Sequence, residues 1–351
     1  MKDIWEDVIK WSEEKQSFVI ARVINTWRSA PRKAGAAMLI DPDMKVVGSV
    51  SGGCIEGAVI EEALEIMETG ETKYLNYGID DDTAWSVGLA CGGKIQLFLE
   101  KHWAVSKDAE SRNIWHHLQQ ALQEKKSVVM LTSIDGSNAA PMLVYEDGKT
   151  EGAWQNFDET LKSLSLNALK SQKNHTKRWE EEKVFFHTFP APDQLIIIGA
   201  GHISIALVQL AHQMNFETFV IDPRKIFATE ERFPVVPTKI ISEWPQDALN
   251  NWNFHENTYA VFLTHDPKID DPGMHIVLKA AVRYIGALGS RKTHAKRVLR
   301  LQESGFSDLE ISRIKAPIGL DIGAESPDEI ALSIIAEIVQ EKHSITDESS
   351  E

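Results

Sequence analysis

The chain contains two cysteines, and each stands against a glycine pair: Ser51-Gly52-Gly53-Cys54 and Cys91-Gly92-Gly93. Paired glycines turn the backbone through positive φ and leave no Cβ in the path of a ligand, so a thiol set there is presented rather than packed. The competing reading is a small buried near-hydrophobe, the usual fate of a free cysteine. Cys54 is followed at once by a helix expected to begin at Glu56. A thiol beside a helix N-terminus favours the thiolate, which is a nucleophile, a sulfur carrier or a soft metal ligand. On that ground Cys54 is expected to react faster than Cys91. No Cys-x-x-Cys pair and no Cys/His cluster at zinc spacing occurs, so the sequence supports neither structural zinc nor a disulfide framework. Arg28, Arg32 and Lys33 lie on a loop around Pro31 that would add positive charge if it faces Cys54; solvated basic residues are the plainer alternative.

A second set of residues has the order of a nucleotide loop. The apolar run Leu195–Ile198 leads into Gly199-Ala200-Gly201-His202 and a helix, where two glycines allow a tight turn and close approach of a pyrophosphate. Twenty-one residues past Gly201, at the end of the next strand, Asp222 stands where a carboxylate takes ribose hydroxyls, and Arg224 two residues on would favour a 2′-phosphate. The third fingerprint position holds Ser204 in place of glycine. His265 and Asp266 follow another strand and suit proton transfer or ligand holding; the alternative is an Asp266 helix cap beside a surface histidine. Gly289, Ser290 and Arg291 at a further strand-to-helix junction fit an oxyanion, against a simple Ser290 cap. Pro317–Ala324 reads only as a shaped loop.

The elements that must position these residues are expected as follows. Helix Ile4–Trp11, strand Phe18–Ile24, strands near Ala37–Ile40 and Val46–Val50, helix Glu56–Glu68 and strand Lys94–Glu100 make an α/β unit. A less regular middle has helix Ile114–Gln123, strands near Val128–Thr132 and Pro141–Tyr145, and a polar surface or linker stretch Gln172–Glu182. The second half alternates strands Gln194–Ile198, Thr218–Ile221, Lys239–Ile241, Tyr259–Leu263 and Tyr284–Ala287 with helices near Ile203–Met214, Pro272–Val282, Lys292–Ser304 and Pro327–Glu341, in the manner of a parallel sheet. The last helix opens with a capping box, Ser326-Pro327-Asp328-Glu329. The fold class is therefore α/β: an N-terminal α/β domain over 1–190, a C-terminal Rossmann-like doubly wound parallel sheet over 191–342, and an acidic tail over 343–351. No internal repeat is visible.

Composition narrows the partners. A net charge of −15 argues against nucleic acid or an anionic membrane surface. No apolar run approaches membrane-spanning length and Met1–Glu6 lacks a signal-peptide core, so a cytoplasmic location with reduced thiols is expected.

Taken in order, Ser51–Glu56, Cys91–Gly93, Gly199–His202, Thr264–Asp266, Tyr284–Arg291 and Pro317–Ala324 resemble the XdhC/CoxI family of xanthine dehydrogenase accessory proteins. The resemblance runs through Arg22–Glu100 and Leu195–Ile338. It implies a chaperone that binds the molybdenum cofactor, a pterin dithiolene carrying one phosphate. Such a protein supports sulfuration of the cofactor and delivers it to a xanthine-dehydrogenase-type molybdenum hydroxylase, without itself being that enzyme. It further implies a cysteine desulfurase partner, a homodimer, and cofactor contacts at Gly52, Gly53, Cys54, Cys91, Gly92 and Gly93. Any metal contact of Cys54 or Cys91 would be to molybdenum only. Gly199, Gly201, His202, Asp222, His265, Asp266, Gly289, Ser290 and Arg291 are the remaining cofactor-binding candidates. The alternative from the residues alone is an NAD(P)-dependent oxidoreductase.

Overall fold

The computed structural model of the chain describes residues 1–14, 17–27, 30–78, 93–134 and 140–344. Arg28, Cys91, Gly92 and the tail beyond 344 lie outside the described residues. The chain divides into two units, Met1–Ala191 and Pro192–Glu351.

In the first unit, helix α1 (Trp5–Glu14) precedes strands β1 (Val19–Trp27), β2 (Ala37–Ile40) and β3 (Val46–Gly48), helix α2 (Glu56–Thr69), and strands β4 (Lys73–Tyr77) and β5 (Lys94–Lys101). The strands form an antiparallel sheet in the order β3-β2-β1-β5-β4. The span in which the sequence predicts one helix, two strands and a polar stretch runs through the same series again. Helix α3 (Ala109–Gln123) leads into β6 (Val128–Ser133), β7 (Met142–Tyr145) and β8 (Thr150–Glu151), then α4 (Glu159–Ser171), β9 (His175–Trp179) and β10 (Glu182–Phe189). Their order is β8-β7-β6-β10-β9. The unit is thus a duplicated topology without a visible sequence repeat.

The period of two decides the layers. Val19, Ala21 and Val23 face Val59, Ala63 and Ile66 of α2, and Val129 and Leu131 face Leu161, Ala168 and Leu169 of α4. The opposite faces, with Ile20 of β1 and Phe18 just before it and Val128 and Met130 from β6, share one core with Trp11, Trp115 and Leu118. Fully buried Arg22 crosses this seam. Its Nη2 lies 2.5 Å from Glu100 Oε1 and its Nη1 donates to Thr132 Oγ1 at 3.1 Å. The Phe98 and Phe185 ring centroids are 5.7 and 5.9 Å from the guanidinium carbon.

The second unit alternates as its sequence predicts: β11 (Gln194–Ile198), α5 (His202–Gln213), β12 (Glu217–Ile221), β13 (Lys239–Ile241), α6 (Pro245–Leu249), β14 (Thr258–Phe262), α7 (Pro267–Val277), β15 (Tyr284–Ala287), α8 (Arg291–Glu303), α9 (Asp308–Ile311), β16 (Ile314–Lys315) and α10 (Pro327–Ser344). All six strands are parallel, in the order β13-β12-β11-β14-β15-β16. Leu195 and Ile197 pack on α5 and α10, while Ile196 and Ile198 pack with Met274 of α7 and Leu301 of α8. The sheet is therefore doubly wound, with the strand order reversing between β11 and β14, where such sheets bind ligands. One helix start differs from the sequence reading. Asp266 accepts from Lys268 N at 3.0 Å and Pro267 fills the first position, so α7 begins five residues before Pro272, which lies inside the helix. Among the described residues no helix is long and apolar enough to cross a membrane.

Candidate functional site

Between β3 and α2 the chain makes the turn that carries Cys54. Gly52 and Gly53 have φ of +85° and +115°, a region that side-chain-bearing residues rarely occupy. The Glu56 carboxylate reaches back into the turn and accepts six hydrogen bonds, from Ser49 and Ser51 hydroxyls at 2.6 Å each and from the N–H groups of Val50, Ser51, Gly53 and Ile55 at 3.0–3.3 Å. Ser51 Oγ in turn accepts from Cys54 N and Ile55 N at 3.0 and 3.2 Å. Burial pushes the Glu56 carboxyl up, but the donors outweigh it and hold it down at about 2.

Sequence reasoning places Glu56 only at a helix start and misses this role. Its signal is an acid in the first helical turn immediately after a serine- and glycine-rich segment. The consequence for the thiol is direct, because a carboxylate already answers the positive end of α2. Cys54 is half-buried and its side chain packs on the core beneath α2, so presentation and packing both apply. Gly93 is buried just before β5. Of the basic loop, Pro31 lies beside Gly52, whereas Arg32 pairs with Asp3 and does not supply charge to the turn. Among the described residues no group of three or more His, Cys, Asp or Glu side chains could hold a metal ion.

In the second unit the carboxyl ends of β11, β12 and β14 converge at the switch point. Gly199 has φ of +104°, and a Cβ there would meet the Thr264 side chain at 2.8 Å, so both turn and packing require glycine. Ser204 is fully buried and donates its hydroxyl to Gly199 O at 2.6 Å, a small residue doing the packing of the missing third glycine while satisfying its own polar atom. Gly201 and exposed His202 open α5 with no side-chain cap.

Asp222 is fully buried and points inward. It accepts from Ala200 N at 2.8 Å and from Arg224 N, Nε and Nη2 at 2.8–2.9 Å, so its oxygens are spent within the protein rather than free for a ribose. Burial alone would raise this carboxyl, and Arg224 with the backbone donors brings it below its ordinary value. Arg232 donates to Ala200 O at 2.8 Å, and the Phe227 ring lies against both Arg224 and Arg232.

Thr264 also donates to Asp270 Oδ1 at 2.6 Å, linking the glycine loop to α7. Burial pushes the Asp270 carboxyl up to about 6, against the pull of that hydrogen bond and of Arg297. Of the remaining candidates, Asp266 caps α7, exposed His265 has φ of +61°, and Ser290 caps α8 through Thr293 N at 3.2 Å with exposed Arg291 after it. Gly289 precedes that cap. The Pro317–Ala324 loop is held to α10, where Gly319 N donates to Glu337 Oε2 at 2.8 Å. Gly199, Gly201, His202, Asp222 and Thr264 thus lie together at the carboxyl ends of β11, β12 and β14. Cys54 belongs to the other unit.

Known proteins place these loci in one lineage. The chain is similar to a protein of Bacillus subtilis described as a probable xanthine dehydrogenase subunit, 29% identical over 93% of this chain and 94% of that protein. It is similar to the molybdenum cofactor insertion chaperone PaoD of Escherichia coli, 27% identical over 91% of this chain and 82% of PaoD. A crystal structure described as a xanthine dehydrogenase of Bacillus halodurans superposes with a TM-score of 0.71 at 28% identity, covering 98% of this chain and 97% of that one. Residues 11–78, which include the Cys54 turn, match the XdhC and CoxI family, and residues 195–338 match the XdhC Rossmann domain. Together these spans exceed half of the sequence, and the chain belongs to the XdhC/CoxI family.

Proposed function

We propose that this protein is a molybdenum cofactor insertion chaperone serving a molybdenum hydroxylase of the xanthine dehydrogenase type. The observation that carries the reading is the Ser51–Glu56 turn, a half-buried thiol on a backbone fixed by an internal carboxylate, within the span matched by the family. The similarity to PaoD over most of both chains supports it. In this reading Cys54 or Cys91, each beside its own glycine pair (Gly52-Gly53 and Gly92-Gly93), is the group near the metal or its sulfur, since a thiolate is a soft ligand. The protein supports sulfuration with a cysteine desulfurase as sulfur source, and acts in the cytoplasm as a homodimer. Purifying the full chain from a cofactor-making host and oxidising it should release the fluorescent pterin product. Absence of pterin both there and after reconstitution overturns the reading.

The order Gly199, Gly201, Asp222 favours a second reading, an NAD(P)-dependent oxidoreductase, but it requires the ligand to displace Arg224 from Asp222. Submillimolar NAD(H) or NADP(H) binding abolished by Asp222→Ala would support it; no binding of either disposes of it.

A further inference from the structure

We infer that the cavity between α7 and α8 is a binding site for a phosphate monoester, anchored by Arg297. The cavity has a volume of 230 Å³ and its lining includes Lys292, Lys296, Arg297 and Arg300 against Asp270 and Asp271. Arg300 is already engaged, its Nε 2.6 Å and its Nη2 3.1 Å from the two Asp271 oxygens. Arg297 is different. It is only 3% exposed, its Nη2 donates to Leu288 O at 3.0 Å, and among the described residues its Nε and Nη1 meet no acceptor. A buried guanidinium with two unpartnered nitrogens lacks the acceptors that such groups almost always have, and an oxyanion is the acceptor such a cation selects.

Independent features point to the same class of ligand. Lys292 and Lys296 are solvent-exposed on the same lining, and Lys292 and Thr293 belong to the first turn of the thirteen-residue α8, whose N–H groups and dipole favour an anion. One cation would suffice for a carboxylate; this set suits a dianion with several equivalent oxygens. Asp270, 2% exposed and oriented by Thr264, offers an acceptor to a hydroxyl or N–H next to the phosphate. The space falls below the roughly 300–1,000 Å³ of sites that enclose a whole small molecule, so it takes a headgroup.

The inference stands apart from the chaperone reading. A phosphorylated pterin and a nucleoside monophosphate share this chemistry, and the test separates them. The full chain is titrated calorimetrically with inorganic phosphate, AMP, and the phosphorylated pterin obtained by oxidising the cofactor. Saturable phosphate binding is expected, weakened at least threefold in the Lys292→Ala/Lys296→Ala variant and lost in Arg297→Gln. The lysine positions are exposed, so that variant carries the test even if Arg297→Gln does not fold. Tighter binding of pterin or of AMP names the source, and either order sustains the site. No saturable binding of any probe, or binding unchanged in the lysine variant, overturns it.

Discussion

The two halves of the first unit share strand order and helix placement, yet only one carries a candidate reactive group. Both helices that follow the third strand begin with a carboxylate on backbone N–H groups. In the second half it comes from the conventional cap position, Asp158 accepting from Leu161 N at 2.8 Å. In the first half it comes from Glu56, inside the helix, reaching backwards. That reversal releases the residues before α2 from capping, and they become Gly52, Gly53 and Cys54. The corresponding segment of the second half, Gly152–Asp158, has no cysteine. The hairpins differ too. β9 and β10 are joined by Glu180 and Glu181, while the β4–β5 connection is long and holds Cys91. A repeated framework keeps its packing while both candidate thiols fall in the connections of one copy.

Breaking the seam between the halves should cost most. Arg22→Ala leaves Glu100 buried without its partner, and a loss of about 3–5 kcal/mol in urea unfolding is expected; replacing both residues by apolar ones should recover much of it. Burial already pushes Glu100 above the ordinary carboxylate range, its attraction to Arg22 offsetting this only in part.

The two caps should separate next. Glu56→Ala is expected to lose about 2–3 kcal/mol and Asp158→Ala about 1 kcal/mol, measured the same way. Because the folded Glu56 carboxyl sits at about 2, below its unfolded value, its contribution is complete above about pH 4.5 and disappears as pH falls towards 2. The stability gap between the native chain and Glu56→Gln should therefore close over that window. Cys54→Ser should shift stability by less than about 1 kcal/mol, as a half-buried position allows, while lowering bound pterin. The smallest effect expected is chemical. Removing the neighbouring charge in Glu56→Gln should raise the iodoacetamide labelling rate of Cys54 about two- to threefold.

Legibility followed pattern strength. The second unit reads directly from sequence because strands such as Leu195–Ile198 are apolar on both faces and alternate with helices, as buried parallel strands require. The two-residue β16 carries no period to detect. β9 is an edge strand whose residues are mostly polar and partly exposed, so His175–Trp179 looks like a surface stretch. α7 is misplaced because Pro272 imitates a first-turn proline while Asp266 and Pro267 do that work earlier. At the sites, glycines and cysteines announce themselves by composition. The groups that define them, Glu56 folding back, Asp222 turned inward onto Arg224, and Arg297 with two buried unpartnered nitrogens, depend on contacts the linear order does not display.

Arg22 also sets a clock. Its partners Glu100, Thr132 and Phe185 follow it by 78, 110 and 163 positions in the chain. At ribosomal rates of about 5–20 residues per second, the last of them is made roughly 8–30 s after Arg22. Until then the emerging first sheet has an unfinished polar centre and an uncovered apolar face. A chain stopped before β10 keeps that face uncovered and should not persist in the cell.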